Sequence, residues 1–491
     1  MQTLLLTVLV VLVVLLLFMA ALLIFRTMMY GRVPEPVEPL EASALPVVEG
    51  PVVAEHLASV LRVQTVSEED RAQINLKTFE RLQKMLERMY PRLHATLRRE
   101  WINDYSLLYT WPGRNPELEP VALLAHQDVV PADAPAWSHP PFEGVVADGW
   151  VWGRGALDLK GNLVAILEAV ERLIKAGYRP ERTLYLAFGH DEEIGGQQGA
   201  RQIVEELQRR EVRLAAVLDE GGLVAEGLVP GLDLPAALVG VTEKGYALVE
   251  LKVEAQPGHA SMPPRRTAIG VLARAIARVE DHPMPARMSM ARLMFADLGA
   301  FTPFSMRMAL ANPWLFDGVV RRRLSADPTA SAVIHTSLAV TRVQGGRLPN
   351  VLPGLAQALV ACRLLPGDTS AAVLEHIRAA IHDDAVQANL IEEYTWEAAP
   401  VSPVDGPAYQ SLSRTIRQIF PEAVVSPYVV LGATDSRYYA PICPNVYRFS
   451  PYLVDQALLK TMHGVDERLR VDALARMVAF YYQLIQAWTQ G

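Results

Sequence analysis

Residues 4–25 form an uncharged run of 22 positions, LLLTVLVVLVVLLLFMAALLIF. At about 1.5 Å per helical residue, such a run crosses a hydrocarbon core of about 30 Å. It predicts a single transmembrane helix within residues 1–30 and a lipid bilayer as a partner. No Lys or Arg precedes the run, and it exceeds the apolar stretch of about 7 to 15 residues usual in a signal peptide. An uncleaved anchor is therefore the expectation, with a cleaved signal peptide as the alternative. Arg26 and Arg32 follow the span and would hold the rest of the chain in the cytoplasm, but two arginines leave the orientation open. PEPVEPLEASALP then lacks any period, and residues 31–50 read as a tether.

Beyond the tether, short apolar runs alternate with helical periodicity. Residues 121–125, 184–188 and 214–218 read as buried strands. Leu163, Ile166, Leu167, Val170 and Ile174 recur at helix spacing until Gly177 closes the helix. Strand, helix, strand order of this kind predicts an α/β fold with a mainly parallel sheet wrapped by helices. After Lys244 the pattern changes. YALVELKVEA reads as a strand, TAIGVLARAIARVE as a helix, SAVIHTSLAVTRV and GLAQALVACRLL as two strands, and AAVLEHIRAAIH as a helix. That order describes a smaller α+β insert over residues 245–400. From Pro403 the chain returns to a helix (408–419), a turn, a strand (445–449) and a terminal helix (471–488). The larger domain is thus discontinuous, built from residues 51–244 and 401–491.

Composition narrows the function classes. The 491 residues are 51% hydrophobic and 20% charged, which suits an ordered protein of two or three domains. Lys and Arg number 46 against 54 Asp and Glu, a net charge of -8 with no basic cluster, so a nucleic-acid backbone is excluded as the main partner. Two cysteines, Cys362 and Cys443, are too few for a disulfide framework and read as partly buried free thiols.

Acids and histidines gather where strands are predicted to end. ALLAHQD sets His126 and Asp128 two apart, so both side chains leave the strand on one side as a ligand and its orienter. WGRGALDLKG brings Asp158 to a helix mouth, FGHDEEIGG brings His190, Asp191, Glu192 and Glu193 past a strand, and LDEGG does the same for Asp219 and Glu220. Open α/β sheets bind ligands at the carboxyl ends of their strands, and this many acids would repel one another there without cations. Imidazole and carboxylate without thiolate suits zinc, and manganese or cobalt would fit the same donors.

Taken in order, H-x-D, G-R-G-x-x-D-x-K-G, D-E-E-x-G-G, L-D-E-G-G and P-G-H-A-S-x-P closely resemble the motifs of the M20 metallopeptidases, and within them the carboxypeptidase S and N-fatty-acyl-amino-acid synthase/hydrolase branch. The resemblance runs from about Glu55 to the end of the sequence. It implies two divalent metal ions. Asp158 would bridge them, His126 and Asp219 would complete one site, and Glu193 with His463 of MHGVDE the other. It further implies that Asp128 orients His126 and that Glu192 is the general base of amide hydrolysis. Relatives commonly carry a second acid where this chain has Leu159, a position that is not a ligand in the family pattern.

Within the insert, His259 and Asn350 match positions expected to donate to an oxyanion, and Arg363 is the candidate partner of a substrate carboxylate. A Met- and aromatic-rich stretch between Asp281 and Ala330 reads as added lid core, a face resting on the bilayer, or an acyl-chain pocket. The expected function is a membrane-anchored, single-pass amidohydrolase that cleaves, or in reverse forms, the amide bond of N-acyl amino acids or small peptides. The nearest rivals are a dipeptidase or carboxypeptidase of the same family and a catalytically silent binding module of the same fold. A homodimer through the lid is the expected assembly, on the resemblance alone.

Overall fold

The computed structural model describes residues 1–38, 45–46, 48–68 and 70–490. In chain order the main strands are β1 (Arg98–Ile102), β2 (Ser106–Trp111), β3 (Val121–His126), β4 (Leu184–Gly189), β5 (Ala216–Asp219), β6 (Leu223–Ala225) and β7 (Ala236–Glu243). They continue with β8 (Gly245–Glu254), β9 (Ser337–Gly345), β10 (Leu355–Leu364), β11 (Gln387–Leu390), β12 (Val424–Val430), β13 (Val446–Arg448) and β14 (Leu453–Val454). The main helices are α1 (Gln2–Met28), α2 (Lys160–Lys175), α3 (Ala268–Asp281), α4 (Ser289–Leu298), α5 (Phe304–Ala311), α6 (Pro313–Ser325), α7 (Pro328–Ile334), α8 (Ser370–Ile381), α9 (Pro407–Ile419) and α10 (Val471–Thr489).

A ten-stranded sheet in the order β1-β2-β4-β3-β5-β13-β7-β6-β14, with β12 beside β7, forms the larger layer. Its centre, β4-β3-β5-β13, is parallel, as the alternation of apolar runs and helices required. Every residue of β3 and β4 is buried, so both faces of these strands are covered. The predicted stripe of α2 faces inward, with Leu163, Ile166, Leu167 and Val170 fully buried against β3 and the terminal helix α10. Gly177 ends the helix with φ +76°, and Tyr178 N–H donates back to Leu173 O at 3.0 Å.

The second sheet is antiparallel, order β9-β10-β8-β11. Its central strands β8 and β10 alternate buried and half-buried positions, and α3 and α8 cover the buried face as a separate core. Three readings change here. SAVI is helical rather than extended, because Asp327 caps α7 by accepting from Ala330 N–H at 2.8 Å with Pro328 in the first turn. The stretch read as a turn before the strand 445–449 contains β12, parallel to β7. Finally, Met288, Met290, Met294 and Phe295 do not join the second sheet. They are buried in the main core, where α4 packs on β12.

The apolar side chains of α1 are exposed along its length, and its last turns alone meet the folded body. Arg26 Nε donates to Ala311 O at 3.3 Å, and Arg32 N–H donates to Ala296 O at 2.8 Å. Past the helix, Glu35 O accepts from the Arg417 guanidinium and Glu38 O from Gln418 Nε2 at 3.4 Å, so the expected tether begins by running along the body. Part of that tether lies outside the described residues.

Cys362 and Cys443 are both free and buried, and burial pushes each thiol up to about 12. Thiolate is the reactive form, so a colorimetric disulfide reagent should modify neither cysteine in the native protein and both in denaturant. Rapid native modification of either would contradict this packing.

Candidate metal centre

Five chain segments converge near the carboxyl ends of the central strands. His126 closes β3, Glu192 and Glu193 form a single 3-10 turn just beyond β4, and Asp219 closes β5 with Glu220 after it. Asp158 stands before α2, joined to Leu159 by a cis peptide bond. His463 arrives from the far end of the sequence on a loop where it holds φ +55°.

Asp158 is the hub. Its Oδ1 lies 2.9 Å from His126 Nε2, and its Oδ2 lies 3.0 Å from His463 Nε2. His463 Nε2 also approaches Glu193 Oε2 at 3.2 Å, and His126 Nε2 approaches Glu220 Oε1 at 3.3 Å. Two donor groups result, His126-Asp158-Glu220 and Asp158-Glu193-His463, sharing one carboxylate. Among the described residues these are the clusters with metal-ligand spacing.

Asp219 is not in either group. Its Oδ2 accepts the backbone N–H of Ser436 at 2.8 Å, which turns the carboxylate toward the loop after β12, while Glu220, the next residue, faces His126. Glu220 thus completes the donor group around His126, where the resemblance implied Asp219.

Asp128 is fully buried and organises two of the candidate donors at once. Its Oδ1 lies 3.3 Å from His126 Nδ1 and accepts Glu192 N–H at 3.2 Å, while its Oδ2 accepts Glu193 N–H at 3.1 Å and the Ser67 hydroxyl at 2.7 Å. Despite burial, these contacts hold its carboxyl below the usual range. Glu467, four positions after His463, does the same for the other side. It is completely buried, accepts Leu157 N–H at 2.7 Å, Asp158 N–H at 3.1 Å and Gly155 N–H at 3.0 Å, and pairs with Arg154 at 2.6 Å.

Charge is badly balanced. Burial, reinforced by Asp158, pushes Glu193 up to about 7. Burial and neighbouring acids also raise Glu192, Glu220 and Asp435 well above the carboxylate range. In compensation His463, bonded to Asp158 and Glu193, is raised to about 10. His126 is likewise raised, the carboxylates of Glu220, Asp128 and Asp158 outweighing its burial. Glu193 Oε1 and Asp435 Oδ1 are buried without a hydrogen-bond partner. A divalent cation in each group would supply the missing positive charge, and the imidazole and carboxylate donors suit one such as zinc.

His259 and Asn350 sit elsewhere. Both are exposed on a two-stranded ribbon, where Ala260 N–H donates to Asn350 O at 3.0 Å and His259 Nδ1 lies 2.7 Å from Ser261 Oγ. The structure brings them together but not to the carboxylates. Arg363 is half-buried, its guanidinium 4.9 Å from the Tyr246 ring centroid, and Arg437 depresses it further after burial. Arg437 is a residue the sequence reading did not single out. It lies over the rings of Trp396 and Tyr438, donates to Gly195 O at 2.7 Å, and feels the charge of Glu192. His190 meets Ser106 Oγ at 2.7 Å and packs on Phe79, outside both donor groups.

Residues 122–487 match the sequence pattern of peptidase family M20/M25/M40. A probable carboxypeptidase S-like 2 of Dictyostelium discoideum is 38% identical over 439 residues, covering 88% of this chain and 84% of its own. An N-fatty-acyl-amino acid synthase/hydrolase of Homo sapiens is 36% identical over 476 residues, 95% of this chain and 94% of its own. The crystal structure of an M20 family metallo-carboxypeptidase from Sulfolobus solfataricus superposes with a TM-score of 0.64 at 16% identity, covering 89% of this chain and 99% of that one, a likeness of fold.

The two adjacent acids after β5 can be told apart. Glu220→Ala should lower bound metal to about one ion per chain by elemental analysis, whereas Asp219→Asn should retain the wild-type content. The reverse pattern would assign the ligand to Asp219.

Proposed function

The chain belongs to peptidase family M20/M25/M40, and from that membership we propose that it is a membrane-anchored amidohydrolase using two divalent metal ions to hydrolyse N-acyl amino acids or small peptides. Hydrolysis of amide bonds follows from the family itself. The observation that carries the two-metal reading is Asp158, whose two oxygens face two histidines from opposite ends of the sequence. His126, Asp158 and Glu220 would hold one ion, and Asp158, Glu193 and His463 the other, most favourably zinc, with manganese or cobalt tolerated. Bound there, the ions would supply the positive charge that makes a water acidic enough to attack an amide carbonyl.

Glu192 is the proposed general base. It follows the strand that ends at Gly189, stands beside Glu193 without joining either donor group, and is held by its own N–H on Asp128. Its carboxylate takes a proton from the attacking water as the oxygen–carbon bond forms. It then returns that proton to the nitrogen as the carbon–nitrogen bond breaks. Burial and the neighbouring acids raise Glu192, which makes its carboxylate a better proton acceptor in the first step than an exposed one and holds the proton there until the nitrogen takes it. Run in reverse, the same groups would join an acyl group to an amine.

Arg363, with Arg437 beyond it, supports recognition of a carboxylate, the group that N-acyl amino acids and peptides share. His259 and Asn350 remain the proposed oxyanion donors, which requires the ribbon to close on the acids or a second copy to present them. The carboxypeptidase alternative draws on the Dictyostelium discoideum relative, and relative rates on N-acyl amino acids and dipeptides separate the two.

For α1, the contacts of Arg26 and Arg32 with the body support a retained segment. A single-pass span is the reading that its exposed apolar length favours.

Glu192→Gln should reduce turnover by at least about a hundredfold while leaving metal content unchanged, since it removes the proton acceptor and no ligand. Retention of more than about a tenth of wild-type activity would refute that role. Full-length protein should stay with membranes through high salt and alkaline carbonate and leave only with detergent. A mature N-terminus beginning beyond about residue 25 would instead identify a cleaved signal peptide.

A further inference from the structure

The junction of α1 with the body fixes a level on the molecular surface. Phe25 is the last residue of the uncharged run, and Arg26, the first charge, donates to Ala311 O. The next residue, Asn312, brings its Nδ2 to Leu23 O and Thr27 Oγ1, each at 3.5 Å. Tyr30 packs on Gly299, and Gly31, at φ +94°, lies so close to the Ala300 backbone that a Cβ there would overlap it. Arg32 pairs with Asp297 at 3.9 Å. These partners belong to α4, α5 and the turns after them, and α4 is buried against β12. The end of α1 is thus joined to the main sheet by packed structure.

Helix α6 begins at Pro313, two residues after the carbonyl that receives Arg26. Its first turn is therefore at the depth where the apolar run of α1 ends. Trp314, Leu315 and Val319 are 50%, 50% and 63% exposed, and Gly318 and Arg322 share their face at helical spacing. Arg322 and Arg323 end this face in the last turn, and both are exposed. The order aromatic, aliphatic, arginine suits a water–lipid interface, where Trp occupies the headgroup level and Arg stems lie along apolar surface with their charge in water. The arginines stand out on a chain of net charge -8 and complement anionic headgroups.

We propose that the outer face of α6 lies in the headgroup region of the bilayer crossed by α1, so that two contacts fix how the hydrolase domain faces the lipid. This rests on the reading of α1 as a membrane span. The experiment uses full-length protein in vesicles of phosphatidylcholine and phosphatidylglycerol containing spin-labelled lipid. Because Cys362 and Cys443 are buried, a single introduced cysteine takes an environment-sensitive fluorophore alone. Labels are placed by Leu315→Cys and Val319→Cys on α6, Leu12→Cys in α1, and Arg98→Cys on β1, the opposite edge of the main sheet from β12.

An apolar face at the interface sits about 5 to 10 Å deep, so quenching at 315 and 319 should exceed that at 98 by at least about threefold. Quenching at 12 with none above the Arg98 level at 315 and 319 overturns the proposal and leaves the anchor standing. Absence of quenching at 12 overturns the anchor, and the proposal with it. Protection of 315 and 319 that accompanies dimer formation and is indifferent to spin-labelled lipid overturns the proposal in favour of a second copy.

Discussion

Everything at the candidate centre hangs on a carboxylate that binds no proposed ion. Glu467 is buried between the loop that carries Asp158 and the loop that carries His463, and it accepts three successive or near-successive backbone N–H groups from the first. Arg154 neutralises it and in turn donates to Gly464 O at 2.8 Å in the second loop. Removing one partner of such a buried pair commonly costs about 3 to 5 kcal/mol, because the other charge is left without compensation. The bridging position of Asp158 is thus enforced from behind by groups that face away from the reacting space. Asp128 repeats the device on the opposite side, holding His126 and the Glu192-Glu193 turn through one side chain.

Four of the five ordered motifs legible in the sequence carry acids and histidines that converge at the candidate centre. The fifth supplies His259, which lies outside it, and His463 comes from a separate stretch near the end of the sequence. Three features were not legible, for identifiable reasons. Asp219 and Glu220 are adjacent acids, and which one turns to His126 depends on the backbone N–H of Ser436, contributed from beyond β12. Arg437 lies in a loop without periodicity, and only the folded chain sets it beside Trp396 and Glu192. His259 pairs with Val351 across a ribbon, and Asn350 O accepts from Ala260 N–H beside it, a proximity that motif order alone does not reveal.

The fold shows the same division. Strands with uninterrupted apolar runs and the stripe of α2 could be read directly. VVSPYVV was harder, because Pro427 argues against an interior strand, and β12 is indeed an edge strand that pairs with β7 alone. Methionine-rich composition likewise records that a segment is apolar, not which sheet receives it. Here Ser426 Oγ donates to Met294 O at 3.0 Å, tying α4 to the larger domain although it lies between elements of the smaller one.

His126 and His463 meet across Asp158 from opposite ends of the synthetic order, and α10 must pack on α2 before the larger domain is closed. At about 5 to 20 residues per second, a ribosome delivers the second histidine tens of seconds after the first. During that interval the nascent chain carries a nest of buried-type carboxylates and an open sheet face with no terminal helix to cover it. The candidate centre therefore comes together only once His463 and α10 have been made, and a product stalled before them would carry most of the candidate donor side chains without assembling the site.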